Sequence, residues 1–419
     1  MTPGLGVVAD DLTGACDVAA GLSALGLHAQ ISLGIPDAAD RPDADVAVVA
    51  LKARTAPAAS AVADSIAAAR MLRGWGATLI YQKYCSTFDS TDAGNIGPVA
   101  DGLLDEMTAD AISVGTPATP SVGRTLHHGH LFVGDRLLSE SSLAQHPLTP
   151  MHDPDLVRVL ARQTPHAVGL VPIEEVRRGA SAVAAAIRRL RARGVRHLLV
   201  DAVLDDDLDA VAAALAETPD VLAGGAAGLI TAIARSLAPG RPQPPPPAPE
   251  GKPLILSGSG SERTRAQVAA HGGPRFDLDP DAVAADAQAA VDDALAFLRD
   301  TGEGVPLITA TAEPDEVART QQRWGRERSA QLIENALGRI ASAAVAEHGV
   351  RRILVAGGET SGAVAAALGV RTLRVRRVVA PGVAWTTAAD RAGRMLDLCL
   401  KSGNFGGVDL LAAAWEEAP

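Results

Sequence analysis

Two adjacent aspartates follow a short apolar run near the start of the chain, in the segment GVVADDLTGACD. Asp10 and Asp11 come directly after a predicted strand, and Thr13 and Gly14 form the turn into a predicted helix. Aspartate at a helix start commonly accepts hydrogen bonds from backbone N–H groups. Paired carboxylates at a strand end also suit Mg²⁺ binding or the acceptance of a hydroxyl proton. The spacing alone leaves capping, metal binding and catalysis open.

Two basic residues follow the next apolar strand, in the segment LKARTAP. Lys52 and Arg54 stand two positions apart, so both side chains would point to the same side of an extended chain. Taken alone, the pair reads as a solvated surface feature. Combined with the polar segment that follows, it becomes a candidate clamp for an anion.

The segment YQKYCSTFDSTDAGNIGPV is dense in small polar groups. Its candidate ligand-binding residues are Lys83, Ser86, Thr87, Asp89 and Asn95. Hydroxyl, carboxylate and amide groups pair well with sugar hydroxyls, and a lysine can pair with a carboxylate. An exposed loop rich in turn-forming residues is the alternative. The density of polar groups favours a polyol-binding loop.

Histidines cluster in the segment SVGRTLHHGHLFVGD. His127, His128 and His130, with Asp135, resemble metal ligands, and the i, i+2 spacing places two of the histidines on one face of a strand. The surrounding loop is interrupted by glycines and offers no clear fourth ligand. A substrate-contacting or structural role is therefore favoured over a zinc site.

Three glycine-rich turns occur in the second half of the chain, in LSGSGSERTRAQV, AGGETSGAVAAALG and LKSGNFGG. Small residues let backbone amides approach an anion, and the first two turns lead into helices whose N-termini favour phosphate. None has the spacing of a P-loop or of the GxGxxG fingerprint. The three turns predict binding of nucleotide phosphates, with ordinary tight turns as the alternative.

Strands and helices alternate along both halves of the chain. Apolar runs such as LGVVAD, DVAVVAL, ATLIYQK and RRILVAGG predict buried parallel strands, and Ala-rich segments between them predict crossover helices. This pattern predicts an α/β fold with mainly parallel sheets in both halves, and ligands beyond the carboxyl ends of the strands. The proline-rich segment APGRPQPPPPAPEGKP predicts a stiff linker. The expected domains are residues 1–237 and 254–419, with the linker at 238–253.

Composition restricts the class of protein. The net charge of −11 over 419 residues argues against nucleic acid or an anionic membrane as the main partner. The three cysteines lie far apart and form no CxxC motif, which suits a reducing cytoplasm. No apolar stretch approaches the roughly 20 residues needed to span a bilayer. We therefore expect a cytoplasmic protein whose partners are small molecules, and self-association into a homodimer is left open.

Several of these motifs resemble the four-carbon acid sugar kinase family. ADDLTGACD, KYCSTFDSTDAGNIGPV, GGETSGAV and LKSGNFGG occur in the family's order and extend over nearly the whole chain. KYCSTFDST, together with HPLTPMHDPDLVRVL, is most similar to the branch that acts on 3-oxo-tetronate. Threonate and erythronate kinases tend to carry a KIDSTLRGN-like segment instead, and they remain the alternative.

The resemblance implies a sugar-acid kinase with its active site in a cleft between the two domains and with ATP and Mg²⁺ as cofactors. The reaction would be phosphorylation of the 4-hydroxyl of the acid sugar. Matching residues by position, the acid sugar would contact Asp10, Asp11, Arg54, Lys83, Ser86, Thr87, Asp89 and Asn95. The nucleotide would contact Ser257, Ser259, Gly357, Gly358, Glu359, Thr360 and Gly403.

The working mechanism assigns a role to each group. Arg54 and Lys83 hold the substrate carboxylate, and Asp11, or else Asp10 or Asp89, accepts the hydroxyl proton. Amides of the glycine-rich turns surround the phosphates. The competing classes are a metal-dependent hydrolase or aldolase using the histidine segment, and a nicotinamide-linked oxidoreductase built on GGETSG.

Overall fold

The computed structural model describes residues 3–145, 149–236 and 247–416. The chain divides into two compact units, Met1–Gln243 and Pro244–Pro419. Most of the predicted linker, 238–253, lies outside the described residues, as does the beginning of HPLTPMHDPDLVRVL. The first strand of the second unit starts at Lys252, two residues before the predicted domain boundary.

A parallel sheet forms the centre of the N-terminal unit. The strands of this unit are β1 (Leu5–Ala9), β2 (Ala29–Leu33), β3 (Val46–Ala50), β4 (Leu79–Lys83), β5 (Ile112–Thr116), β6 (Arg124–His127), β7 (His130–Val133), β8 (Arg136–Leu137), β9 (Ala167–Val171), β10 (Val195–Val200) and β11 (Val221–Gly225). Among the described residues, the sheet order is β2-β3-β1-β4-β11-β5-β10-β9, and every pairing in it is parallel. Strands β6, β7 and β8 form a separate antiparallel sheet.

Helices connect the parallel strands, as the alternation of patterns predicts. They are α1 (Leu12–Ala24), α2 (Ala58–Gly74), α3 (Ile96–Asp105), α4 (Leu156–Ala161), α5 (Ile173–Val176), α6 (Ala180–Arg191), α7 (Asp205–Ala216) and α8 (Ala227–Ser236). Helix α2 shows why alanine is abundant: Ala61, Ala68 and Ala69 are fully buried in the core cluster that also contains strands β1 and β3. A small side chain on this face lets the helix backbone approach the sheet closely.

The C-terminal unit contains a mixed sheet. Its strands are β12 (Lys252–Ser257), β13 (Arg275–Asp277), β14 (Leu307–Thr309), β15 (Val350–Ala356), β16 (Thr372–Ala380), β17 (Val383–Ala389) and β18 (Met395–Lys401). Its helices are α9 (Glu262–Ala269), α10 (Pro280–Ala285), α11 (Ala287–Asp300), α12 (Pro314–Trp324), α13 (Arg326–Glu347), α14 (Gly358–Leu368) and α15 (Leu410–Ala413). Strands β13-β14-β12-β15-β18 are parallel, whereas β17 and β16 continue the sheet antiparallel.

The α/β class with mainly parallel sheets is therefore confirmed, and the antiparallel pair β16–β17 is an addition to it. The strand TLRVRRVVA alternates charged and apolar residues, as a sheet with one solvated face requires. No helix in the described ranges is long and apolar enough to cross a membrane.

Strand register places the polar turns at common sheet edges. In the N-terminal unit, Ala9 is paired with Ala50 and with Lys83, so the turns after β1, β3 and β4 leave the sheet at one level. In the C-terminal unit, Ala356 is paired with Ser257 and with Lys401. The three glycine-rich turns therefore begin side by side.

Candidate functional site

An arginine holds the two aspartates that follow β1. The Arg54 guanidinium donates to both carboxylate oxygens of Asp10, with Nε–Oδ2 2.8 Å and Nη2–Oδ1 3.0 Å. The same Nη2 lies 2.8 Å from Oδ1 of Asp11, and Nη1 lies 3.7 Å from Oδ2 of Asp89. We call Arg54 with Asp10 and Asp11 the arginine clamp. It brings together residues that sequence spacing separates by more than 40 positions.

Asp11 also caps helix α1. Its Oδ1 accepts the Gly14 N–H at 2.8 Å, and its Oδ2 accepts the Thr13 hydroxyl at 2.7 Å. Burial acts to raise the pKa of Asp11, but Arg54 and Lys83, with these two hydrogen bonds, outweigh it and lower the pKa overall. Asp11 is therefore both a helix cap and a carboxylate held in its ionised form.

Asn95 positions the loop that carries the clamp. Its buried amide nitrogen donates to the carbonyls of Ala53 and Ala56 at 2.6 and 2.8 Å. These bonds occupy the amide N–H groups that sequence analysis assigned to substrate. Lys52 is exposed, so of the two basic residues in LKARTAP only Arg54 faces the aspartates.

The turn after β4 presents Asp89. The Thr87 hydroxyl donates to Oδ1 of Asp89 at 2.7 Å, and the Cys85 thiol donates to Oδ2 at 3.0 Å. Phe88 has a φ of 61°, which costs a bulky side chain on the order of 1–3 kcal/mol. Its ring is fully buried and packs edge-on against Tyr84 at 5.5 Å, which holds the turn in this shape.

Lys83 is buried behind this turn. Its side chain is 2% exposed, and Nζ donates to the Tyr84 carbonyl at 2.9 Å. Asp17, which sequence analysis did not select, lies near it: burial raises the pKa of Asp17 to about 6, while Lys83 acts to lower it. Ser86 is also buried. A pocket adjoins the clamp and is lined by residues that include Asp10, Arg54, Lys83, Asp89, Ser90 and Asn95.

The histidine segment has other partners. His128 Nε2 lies 3.0 Å from Glu174, and His130 Nδ1 lies 2.8 Å from the His128 carbonyl. The buried carboxylate of Asp201 accepts the backbone N–H groups of His128 and Gly129. In the part of the chain that the structure describes, no group of three or more His, Cys, Asp and Glu side chains is placed to bind a metal ion.

The three glycine-rich turns of the C-terminal unit meet. A Cβ on Gly403 would lie 2.5 Å from the Ser259 hydroxyl, and a Cβ on Gly357 would lie 3.3 Å from the Ser259 amide nitrogen. A Cβ on Gly258 would lie 2.4 Å from the Thr360 hydroxyl. Gly357 has a φ of 124°, a conformation that is strained for any residue with a side chain. These glycines are therefore required for the close approach of the turns, which we call the glycine cradle.

The amides available to an anion begin at helix α14. The Gly357 N–H donates to the Lys401 carbonyl at 3.0 Å, so it is not available to contact phosphate as the working mechanism expected. Gly358, Glu359 and Thr360 form the first turn of α14, where N–H groups have no partner within the helix. Ser257 is buried, and its hydroxyl lies 2.6 Å from that of Thr311.

Lys401 lies under the glycine cradle, and sequence analysis missed it. Its ammonium group is fully buried and donates to the Thr264 hydroxyl at 3.1 Å and the Gly403 carbonyl at 3.2 Å. Burial lowers the pKa of Lys401 to about 7. The sequence does contain a signal that could have identified Lys401, because this lysine ends the apolar strand MLDLCLK.

Two family models match the chain, one in each unit. A family model described as a sugar-binding N-terminal domain matches residues 5–233. A second, described as a nucleotide-binding C-terminal domain, matches residues 254–411. The arginine clamp and the glycine cradle fall in the first and second of these ranges respectively.

Curated relatives match over nearly the full chain. A protein of Burkholderia multivorans named 3-oxo-tetronate kinase is 48% identical over 418 residues, which cover 98% of this chain and 96% of that protein. A Cupriavidus necator protein of the same name is also 48% identical, with the same coverage. Crystal structures of proteins from Salmonella typhimurium LT2 and Haemophilus influenzae superpose with TM-scores of 0.84 and 0.74, at 36% and 38% identity, over 98% of both chains.

Proposed function

Because the chain belongs to the four-carbon acid sugar kinase family, we propose that it transfers the γ-phosphoryl group of ATP to the 4-hydroxyl of 3-oxo-tetronate. The substrate is the one in the names of its curated relatives. The observation that carries the proposal is that one chain contains a candidate site in each of its two matched domains. The arginine clamp lies in the unit that matches a sugar-binding domain, and the glycine cradle lies in the unit that matches a nucleotide-binding domain.

On the acceptor side, Asp11 orients the 4-hydroxyl and accepts its proton. Its side chain is 20% exposed, compared with 16% for Asp10 and 10% for Asp89, so it is the most accessible of the three candidates. Its lowered pKa keeps it ionised. Phosphoryl transfer passes through a loose transition state, so a weakly basic carboxylate that takes the proton late is sufficient.

On the donor side, the first turn of α14 receives the phosphates. The N–H groups of Gly358, Glu359 and Thr360 and the helix dipole favour negative charge there. Mg²⁺ binds phosphate oxygens and usually only one or two carboxylates, and Glu359 is an exposed carboxylate at this helix start. The ion would neutralise charge on the phosphates. Removal of Mg²⁺ with EDTA is expected to abolish turnover, and excess Mg²⁺ to restore it.

A coupled assay for ADP release tests the reaction. Purified protein is supplied with ATP, Mg²⁺ and one acid at a time from a panel of 3-oxo-tetronate, threonate and erythronate stereoisomers. We expect the highest kcat/KM with 3-oxo-tetronate, and a preference for threonate or erythronate would reassign the substrate within the family. Release of no ADP with any member of the panel would refute the kinase proposal.

The position of phosphorylation is tested by ³¹P NMR of the product. A phosphate on the terminal C4 carbon couples to two protons and gives a triplet, whereas a phosphate on C2 couples to one proton and gives a doublet. A doublet would contradict the assignment of the 4-hydroxyl.

The role of Asp11 is tested with Asp11→Asn. Loss of a general base typically lowers the rate about 10²–10⁴-fold, and we expect a fall in kcat of that order. Asp92→Asn is the control, because Asp92 lies in the polar segment after β4 but its side chain is 71% exposed. Wild-type kcat in Asp11→Asn would transfer the role to another carboxylate, with Asp10→Asn and Asp89→Asn as the next variants.

We further propose that the protein acts in the cytoplasm, where ATP is available and its three cysteines remain reduced. All three are free thiols in the structure.

A further inference from the structure

Arg124 is a charged residue of the N-terminal unit that the proposed mechanism does not use. It is the first residue of strand β6, and its backbone forms two hydrogen bonds with Thr119. The Thr119 N–H donates to the Arg124 carbonyl at 2.8 Å, and the Arg124 N–H donates to the Thr119 carbonyl at 3.2 Å. Thr119 follows closely on β5, a strand of the parallel sheet. The Arg124 backbone is therefore fixed near the carboxyl end of β5, at the edge of the sheet that carries the arginine clamp.

The Arg124 guanidinium forms no ion pair within the part of the chain that the structure describes. Its Nη1 donates to the Val122 carbonyl, and its Nε is buried without a hydrogen-bond partner. Among the residues that the structure describes, no carboxylate lies within 4.0 Å of it. Arg54 is the contrast, with ion pairs to three aspartates. A half-buried cation without an anionic partner costs free energy, and a bound anion would reduce that cost.

The surroundings of Arg124 connect it to the acid-sugar site. Burial lowers its pKa, while Cys85, Asp89 and Asp17 act to raise it. Cys85 and Asp89 belong to the turn after β4, so groups of that turn lie near enough to Arg124 to act on its charge. Burial raises the pKa of Cys85 to about 12, and a neutral thiol does not balance the charge of Arg124. Asp89 already accepts hydrogen bonds from Thr87 and Cys85.

The other two cations near the site are engaged. The Nε and Nη2 groups of Arg54, one edge of its guanidinium, donate to Asp10 and Asp11. Lys83 is almost completely buried, and its charge acts on Asp11 and Asp17. Lys83 lacks a planar guanidinium, and Arg54 has already committed one edge of its guanidinium; arginine binds a carboxylate through two parallel hydrogen bonds.

We propose that Arg124 binds the carboxylate of the acid sugar. This assignment rests on the proposed function, since it takes the anionic acceptor from it. It also changes the working mechanism: Arg54 holds the aspartates in place for the reacting hydroxyl, and Arg124 recognises the opposite, charged end of the substrate. The preference for an acid over a neutral sugar would then depend on Arg124.

The test compares Arg124→Gln and Arg124→Lys with wild type, using the acid that gives the highest kcat/KM. Truncating one partner of a buried charge pair commonly costs a few kcal/mol, so we expect Arg124→Gln to lower kcat/KM about 100-fold, mainly through KM. Arg124→Lys keeps the charge but loses the planar guanidinium, so its kcat/KM should lie between those of wild type and Arg124→Gln. Arg136→Gln is the matched control, because Arg136 is exposed on the same small sheet, and its KM should stay within about twofold of wild type.

Two further measurements separate recognition from folding. Erythrulose replaces the carboxylate of 3-oxo-tetronate with CH₂OH, so its turnover or weak inhibition should be the same in wild type and Arg124→Gln. ATP binding, measured by calorimetry, should also be unchanged. An unchanged KM for the acid in Arg124→Gln would overturn the proposal, and so would an equal loss for the acid and for erythrulose.

If the proposed kinase function is wrong, the results differ from those expected if only the Arg124 proposal is wrong. If wild type releases no ADP with any acid, calorimetric binding of erythronate to wild type and to Arg124→Gln still tests the carboxylate site. Weaker binding in the variant supports Arg124 as the anion-binding residue, and equal affinities refute it. If Arg124→Gln does not fold, Arg124→Lys provides the same comparison.

Discussion

Replacing Lys401 with methionine should stabilise the C-terminal unit at neutral and acidic pH while weakening the glycine cradle. The Lys401 ammonium group is fully buried, and its partners are the neutral groups of Thr264 and Gly403. Methionine has a similar length and no charge, so it removes the cost of burying an ammonium group and keeps most of the packing.

The size of the effect follows from the pKa. Burial lowers the pKa of Lys401 from 10.5 to about 7, and each unit is worth about 1.4 kcal/mol, so the charge costs about 5 kcal/mol of folding free energy below pH 7. The two lost hydrogen bonds each contribute about 1 kcal/mol. At about pH 6, the Lys401→Met variant should therefore be more stable by about 3 kcal/mol.

The gain should depend on pH with a definite sign. Between about pH 7 and 10.5 the unfolded lysine is protonated and the folded one is not, so wild-type stability rises with pH at up to about 1.4 kcal/mol per unit. The variant has no such dependence at this position. The difference between the two should shrink to about zero near pH 9.

Tryptophan fluorescence can follow the C-terminal unit alone. Trp324, Trp385 and Trp415 lie in that unit, and Trp75 is the one tryptophan in the N-terminal unit. A Trp75→Phe background leaves only the three reporters of interest. Urea unfolding of this background, with and without Lys401→Met, gives the difference in unfolding free energy at each pH.

A difference that is the same at pH 6 and pH 9 would refute the lowered pKa. A variant that is less stable at both pH values would refute the burial argument itself, because the two hydrogen bonds would then outweigh the charge. The affinity for ATP supplies a separate readout. We expect it to fall because the Gly403 carbonyl and the Thr264 hydroxyl lose the donor that both share, which leaves only their direct hydrogen bond of 2.8 Å.

Two other substitutions test the positioning of the sites. Gly403→Ala places a Cβ 2.5 Å from the Ser259 hydroxyl, so KM for ATP should rise about tenfold with KM for the acid unchanged. Gly272→Ala, where a Cβ meets no atom within 4 Å, should have no such effect, and equal effects would show that the close approach of the turns is unimportant. Asn95→Ala removes the donor for two loop carbonyls and should cost about 1–3 kcal/mol of stability and lower kcat, whereas exposed Asn335→Ala should change neither.

The alternation of apolar runs was sufficient to predict the α/β class, because each run is long enough to form a buried parallel strand. Strands β1, β3 and β4 of the N-terminal unit occur where LGVVAD, DVAVVAL and ATLIYQK predict them. Strands β2 and β11 were not predicted, since AQISL contains two polar residues and VLAGG ends in two glycines. These two depend on pairing with neighbouring strands rather than on their own composition.

The glycine pattern illustrates a limit of local reading. VLAGGAAGLI resembles ILVAGGETSGAV, but a Cβ on Gly225 would lie 2.1 Å from the Thr116 carbonyl oxygen, in the neighbouring strand. This glycine is needed to pack β11 against β5. Only the tertiary contacts show that Gly225 makes room for a neighbouring strand, whereas the glycines of the glycine cradle make room for neighbouring turns.

Residue types and their order along the chain indicated which segments carry the candidate sites, because motifs such as ADDLTGACD and GGETSGAV are contiguous and lie at strand ends. They did not select Asp17 or Lys401. The family resemblance that these motifs carry is confirmed by matches over nearly the full chain. Tertiary structure decided what each charged group faces. Arg54 pairs with aspartates 43 and 44 positions away. Arg124 forms no ion pair with any described residue, and Lys401 is buried under a turn. The cost of a buried charge depends on partners and on desolvation, and both are set by residues distant in the chain.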